Sequence, residues 1–379
     1  MKIGIDIRVL MDKNYSGISE YTAQLLAAVL RQDKINDYRL FYNSWHDLDS
    51  RLGAWRRHNA QIVSTRWPNK VFNYILQKAL SYPKLDKLLG DPDIFWSPHF
   101  NFTSLRLSTK SVVTVHDLSF LRYPEYFSVR KNFWHKALGI KNILRRARAI
   151  VAVSENTRND IIELMGVSPD RVRVIYSGNN LPVFSLSDDE KKELVGRQGI
   201  KGRFILYLGN IEPRKNIAGL IRAFDILKKQ NFYHDLELVL AGAPGWKDKE
   251  IYRAWQQSVN QKQIHFIGYI DQPTKEALYA LAAAFSYPSF YEGFGFPPLE
   301  ALARGCPVVC SNVSSLPEVV GNAALLINPD RPEEIARALS EILSDKKLAQ
   351  DLSWAGQEQA KRFSWDRAAQ QYLELFKSL

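Results

Sequence analysis

What most constrains this chain is an alternation that runs twice: short β-branched runs give way to longer amphipathic stretches, the pattern of α/β architecture with mainly parallel sheets. In the first series the strand candidates are Lys2–Ile7, Tyr38–Tyr42, Gln61–Ser64, Ile94–Ser97, Val112–Val115, Ala149–Val153 and Arg173–Ile175. A fresh series starts at Phe204–Leu208 and continues through Leu236–Ala241, Ile264–Ile267, Ala284–Pro288, Pro307–Cys310 and Ala324–Ile327. Helices are expected from near Gly17 to Arg31 and from Asn156 onward, and the last begins after Ser364, whose side chain suits an N-cap. At 379 residues the chain exceeds the size at which one hydrophobic core keeps growing, so two domains are expected, residues 1–180 and 181–362. Leu181–Lys201 reads as the linker and the first helix of the second domain. Two doubly wound domains in tandem imply a cleft, with ligands outside the carboxyl ends of the strands.

Composition excludes several classes. Hydrophobic residues make up 46% and charged residues 24%, which describes a globular rather than a disordered protein. The two cysteines, Cys306 and Cys310, lie four apart on an expected strand, facing one side as buried thiols. They build neither a disulfide framework nor a zinc site, and they fit a reducing, cytoplasmic compartment. MKIGIDIRVL lacks the basic-then-apolar design of a signal peptide, and no stretch is long and apolar enough to span a membrane. The net charge of +11 falls entirely in the first half, and residues 181–379 balance. Arg122 to Arg148 concentrates it, with eight basic side chains against Glu125 alone and with Tyr123, Tyr126, Phe127, Phe133 and Trp134 between them. Such a stretch suits an anionic membrane surface, a phosphorylated substrate or nucleic acid, and equally a solvated basic helix.

Three segments that follow strands carry candidate chemistry. In Gly209-Asn210-Ile211-Glu212-Pro213-Arg214-Lys215-Asn216 two adjacent cations open a helix, against its dipole, which suggests an anion such as a diphosphate. In Pro288-Ser289-Phe290-Tyr291-Glu292-Gly293-Phe294-Gly295-Phe296 a strand meets a glycine-rich loop and then a helix bearing Glu300. Gly293 and Gly295 let backbone approach a ligand, and the Glu300 carboxylate matches a ribose diol. His116, in Val115-His116-Asp117-Leu118, ends a strand where it can position a hydroxyl or serve structure alone; His99 is the weaker candidate. There is no phosphate-loop, nucleophile-elbow or metal-type DxD motif in a fitting context; Asp91-Pro92-Asp93 precedes its strand, the wrong end for a site.

With those residues in place, the sequence resembles the retaining family-4 glycosyltransferases. The resemblance rests on Glu292 to Glu300 (EGFGFPPLE), GNIEPRKN (Gly209–Asn216), SSLPEV (Ser314–Val319) and the early GI-x-x-Y (Gly17–Tyr21), in order, over residues 2 to 375. It implies a GT-B fold: two Rossmann-like domains facing across a cleft, the acceptor bound mainly by the first and the donor by the second. It also implies that the last helix, residues 363–379, packs back on the first domain. Arg214 and Lys215 are similar to the pair that holds the donor diphosphate, Glu300 to the ribose-binding carboxylate, and Glu292 to the glutamate near the transferred sugar. Gly293, Phe294 and Gly295 would supply amides to that sugar, His116 would meet its 6-hydroxyl region, and Gly17 would let backbone approach the diphosphate. Ser16-Gly17 stands where many relatives have two glycines. No metal and no other cofactor is implied.

HDLSFLRYPEYFS (His116–Ser128), in combination with GNIEPRKN and FYEGFGFPPLEA, is similar to the mannosyltransferase-B-like branch, which implies GDP-mannose as donor, a UDP-hexose being the alternative. The implied acceptor is a saccharide or a polyprenyl-diphosphate-linked saccharide, reached from the inner membrane face through Arg122–Arg148. Two readings from other classes compete: a sugar-nucleotide epimerase on a similar fold, and a nucleic-acid binder resting only on the basic first half, for which no specific feature speaks.

Overall fold

The computed structural model describes residues 1–11, 17–45, 55, 58–179 and 185–379. Ser16 and the expected domain boundary with the start of the linker, residues 180–184, lie outside them. The chain forms two compact units: Met1–Leu118 with Arg130–Gly178 and Ser364–Leu379, and Ser119–Val129 with Asn179–Phe363.

The first unit is built on a seven-stranded sheet in the order β3-β2-β1-β4-β5-β6-β7. The strands are β1 Lys2–Asp6, β2 Asp37–Asn43, β3 Ala60–Thr65, β4 Ile94–Ser97, β5 Lys110–Val115, β6 Ala149–Ala152 and β7 Val172–Val174. Every pairing is parallel. The middle strands β4 and β6 are buried at every position, as expected of a parallel sheet covered on both faces. The order reverses between β1 and β4, the switch point of a doubly wound sheet. The C-terminal helix Trp365–Ser378 belongs to this unit. Tyr372 drops its hydroxyl beside Tyr21 (2.9 Å) of the helix Gly17–Gln32 and Thr114 (2.7 Å) of β5, and its ring lies 4.9 Å from that of Trp96. At the surface Arg31 pairs with Asp366.

The second unit carries a six-stranded parallel sheet in the order β10-β9-β8-β11-β12-β13. These strands are β8 Phe204–Leu208, β9 Glu237–Ala241, β10 Ile264–Gly268, β11 Ala284–Tyr287, β12 Val308–Ser311 and β13 Ala324–Ile327. Its switch point lies between β8 and β11. Local chemistry starts the helices: Ser154 accepts from the Thr157 amide, Ser187 closes a capping box with Glu190, Asn216 accepts from Gly219, and Ser364 accepts from Asp366.

Two expectations are corrected. The basic, aromatic stretch Arg122–Arg148 does not fall within one unit. Its first part, through Val129, packs within the second unit: Tyr126 stacks on Phe290 (5.7 Å), Tyr123 tilts against Tyr291 (5.7 Å), and the Trp246 indole donates to the Tyr126 carbonyl (2.7 Å). Aromatic faces gain from one another, so these half-buried rings are engaged within the second unit. Second, Cys306 lies ahead of β12 and only Cys310 is in the strand, so the two do not share a strand face; both are buried free thiols, pushed well up by burial.

Candidate active site

The loops leaving β8 and β11 meet at the switch point of the second unit, because those strands are neighbours. After β8 the chain makes a short turn, Pro213–Lys215, that delivers Arg214 and Lys215. After β11 it passes Ser289 and Glu292 before the helix Phe296–Ala303. The Lys215 ammonium donates to Glu292 Oε1 (2.6 Å) and to the Tyr287 hydroxyl (2.6 Å), and Ser289 donates to the same Oε1 (2.6 Å). Arg214 lies 3.2 Å from Glu292 Oε2, donates to Glu212 Oε1 (2.6 Å), and also donates to the Tyr291 carbonyl. Two cations are thus knotted to two carboxylates, all four nearly buried.

Burial alone would push the Glu292 carboxyl upward, but Lys215 and Arg214 beside it win and hold it at about 2. The same burial, with Arg214 adjacent, lowers Lys215 while Glu292 pulls it back. With both oxygens engaged by donors, Glu292 is a held anion and a poor nucleophile. The Tyr207 and Tyr287 rings stack 5.7 Å apart beneath the knot.

The glycine-rich loop is fixed by Ser314 and Ser315. Ser314 Oγ accepts from the Glu292 amide (2.9 Å), and Ser315 donates to the carbonyls of Glu292 (3.0 Å) and Phe294 (2.7 Å). Phe294 is a core side chain against Phe296 and Phe363, so only its backbone is placed for a ligand. Gly295 has φ +110, and a Cβ there would meet Leu316 at 2.9 Å, so glycine is required.

Of the other expected residues, Glu300 belongs to the second unit and His116, Gly17 and His99 to the first. The Glu300 carboxylate is buried and accepts from Lys275 (2.8 Å) and Tyr279 (3.1 Å). A ribose would have to use the lone pairs these leave, and a carboxylate has about four acceptor sites. His116 is in the first unit, where its Nε2 donates to the Pro98 carbonyl (2.8 Å) and its ring meets Tyr21 edge-on at 4.6 Å. Burial lowers its pKa, so it is neutral with Nδ1 left as an acceptor. Gly17 opens its helix with nothing within 4 Å of where a Cβ would be, so the protein's own packing does not demand glycine. His99, driven down to about 4 by burial against the pull of Asp6, lies near the buried Asp6–Arg8 pair. Among the described residues no group of three or more His, Cys, Asp and Glu converges as a metal site.

Sequence reasoning missed Glu212, which aims Arg214, and Ser289, which fixes Glu292. Glu212 was in plain view two residues before Arg214, at the N-cap of the short turn that carries it. Lys275 and Tyr279, which hold Glu300, left no local signal.

Two parallel, doubly wound units of this strand order define a GT-B fold. Sucrose-phosphate synthase from Thermosynechococcus elongatus has a TM-score of 0.76 to it at 21% identity, with 100% of this chain and 98% of that chain covered. HepE of Anabaena, solved with UDP and glucose, gives 0.75 at 19% identity with both chains fully covered. At such identities the likeness shows the fold.

The family is shown by sequence. Residues 15–181 match Glycosyltransferase Family 4, and residues 190–359 match Glycosyl transferases group 1. O-antigen chain mannosyltransferase B of Escherichia coli is 35% identical over 288 residues, which is 76% of this chain and 74% of the relative. O-antigen chain mannosyltransferase RfbU of Salmonella typhimurium is 27% identical over 335 residues, 88% of each. The chain belongs to the family 4 glycosyltransferases and is a hexosyltransferase.

Proposed function

We propose that this transferase moves mannose from GDP-mannose, with retention and without a bound metal, onto a saccharide or lipid-linked saccharide of a bacterial surface polysaccharide. The observation that carries the reading is the Arg214–Lys215–Glu292–Glu212 knot at the switch point of the second unit. When the bond from the anomeric carbon to the donor oxygen breaks, negative charge develops on the diphosphate. Lys215 and Arg214 are held in place beforehand, so they offset that charge with little reorganisation, the role a divalent cation plays elsewhere. A diphosphate and Glu292 then compete for the same cations. Glu300 is the proposed ribose acceptor, His116 the contact to the sugar hydroxyls, and the backbone of Gly293, Phe294 and Gly295 the surround of the sugar. The mannose assignment is supported by the two O-antigen mannosyltransferase relatives.

The test is direct. Thermal shifts with GDP, UDP and ADP and their sugar conjugates rank the donors, since a ligand at 100 times its Kd stabilises by about 2.7 kcal/mol. GDP-mannose is expected to stabilise most and to turn over with acceptor; a response to UDP-hexoses alone overturns the donor. Free epimerised sugar nucleotide without acceptor would favour an epimerase. Lys215→Ala is expected to lower kcat by about 10²–10³-fold, the size of effect seen for a single preorganised charge-stabilising group, with the circular dichroism unchanged.

A further inference from the structure

The segment Ser119–Val129 packs within the second unit, although the residues before and after it belong to the first. Its contacts fall on two loops of that unit. Tyr123 and Tyr126 stack on each other at 5.6 Å, Tyr126 stacks on Phe290 at 5.7 Å, and Tyr123 tilts against Tyr291 at 5.7 Å. Two rings of the segment and two of the loop after β11 thus form one cluster. In the loop after β9, Phe127 stacks on Trp246 at 6.0 Å. The Trp246 indole donates to the Tyr126 carbonyl (2.7 Å) and Lys247 to the Glu125 carbonyl (2.6 Å).

Both loops are bonded in turn to the segment that carries Arg214. The Phe290 amide donates to the Arg214 carbonyl (2.9 Å), as does Ser289 Oγ (3.1 Å), and the Arg214 guanidinium donates to the Tyr291 carbonyl. After β9, the Ala243 carbonyl accepts from the Ile211 amide and the Gly245 amide donates to the Ile211 carbonyl, both at 3.0 Å, one residue before Glu212. The turn Pro213–Lys215 is only three residues long and ends on Asn216 at φ 54, so its rigidity comes from these neighbours. Tyr126 is the residue that reaches both: its ring covers Phe290 and its carbonyl takes the Trp246 indole.

We propose that Tyr126 is a positioning residue for transfer. It holds the loops after β9 and β11 against the turn Pro213–Lys215, so that the Arg214 guanidinium is fixed before charge develops on the leaving diphosphate. The proposal rests on the transferase reading of Arg214. Its physical basis is that a charge-stabilising group acts only within about 0.5 Å of its productive place, and a misplacement of about 1 Å costs up to about 100-fold in rate.

The test uses the full chain. Nucleotide release is followed from GDP-mannose, or from a UDP-hexose that thermal shifts rank above it, with a p-nitrophenyl mannoside as acceptor, beside amide hydrogen exchange at Phe290. Tyr126→Ala is expected to lower kcat by about 10- to 100-fold with the donor KM within about twofold. It should also speed exchange of the Phe290 amide by about tenfold. Tyr126→Phe, which keeps the planar face, should restore both. In an Arg214→Ala background the same Tyr126→Ala change should cost nothing further, because its effect runs through Arg214. Should Tyr126→Ala melt well below the parent, Tyr126→Leu, which keeps apolar bulk without a planar face, takes its place. Unchanged Phe290 exchange, an equal further loss in the Arg214→Ala background, or no rescue by Tyr126→Phe would overturn the proposal. Full turnover by Lys215→Ala would remove the transferase reading of the knot and this proposal with it. Lost turnover in Lys215→Ala with full turnover in Tyr126→Ala would remove the proposal alone.

Discussion

Glu292 shows how far residue chemistry at the site depends on neighbours. An isolated buried carboxyl would be neutral, yet Lys215 and Arg214 hold this one at about 2 against an ordinary 4.5. The sign for stability follows. A carboxyl whose folded pKa is depressed contributes stability that is fully present above pH 4.5 and is lost as pH falls towards 2. Glu292→Gln is therefore expected to be less stable than the parent at neutral pH and to show a flatter fall between pH 4.5 and 2 by chemical denaturation. A variant with the parent's acid slope would remove Glu292 from the ion-pair knot. Arg214, Lys215 and Glu292 were legible because charged residues just after strands sit where ligands bind α/β sheets. Glu212 and Ser289 were less so, since their worth lies in which atom they aim.

At the scale of elements, strands and caps were legible because both are local. Apolar runs of strand length bounded by glycine or polar turns, and Ser or Asn ahead of an amphipathic stretch, need no distant partner. The role of a glycine does need one. Gly295 and Gly17 look alike in sequence, but only Gly295 has a left-handed φ and a neighbour in the way of a Cβ. Gly295→Ala is expected to destabilise by about 1–3 kcal/mol in a denaturant titration. Gly17→Ala is expected to leave stability intact; if it also leaves transfer intact, a ligand-approach role for Gly17 is excluded. The aromatic residues that open the stretch Arg122–Arg148 have partners no local pattern shows: within the second unit Tyr126 and Phe127 stack on Phe290 and Trp246, and Tyr123 tilts against Tyr291.

At the scale of the molecule, the first unit is completed by the end of the chain. Tyr21 and Tyr372 are 351 residues apart and share a hydrogen bond in a core that also holds Trp96 and Thr114. Tyr372→Ala should cost about 3–5 kcal/mol, as large-to-small changes of buried aromatics do, lowering the first unit's transition in calorimetry while nucleotide still stabilises the second. A single unaltered transition would mean that the helix Trp365–Ser378 is not part of that core. The sequence by itself determined the parallel α/β class, the near-complete strand inventory, the two-domain scale and the family, because each rests on periodicity or on short contiguous motifs. Only the tertiary structure decided that Glu212 aims Arg214, that Lys275 and Tyr279 hold Glu300, and that Ser119–Val129 joins the second unit. Those depend on pairings between residues far apart in the chain, whose energy comes from burial and geometry that no local pattern encodes.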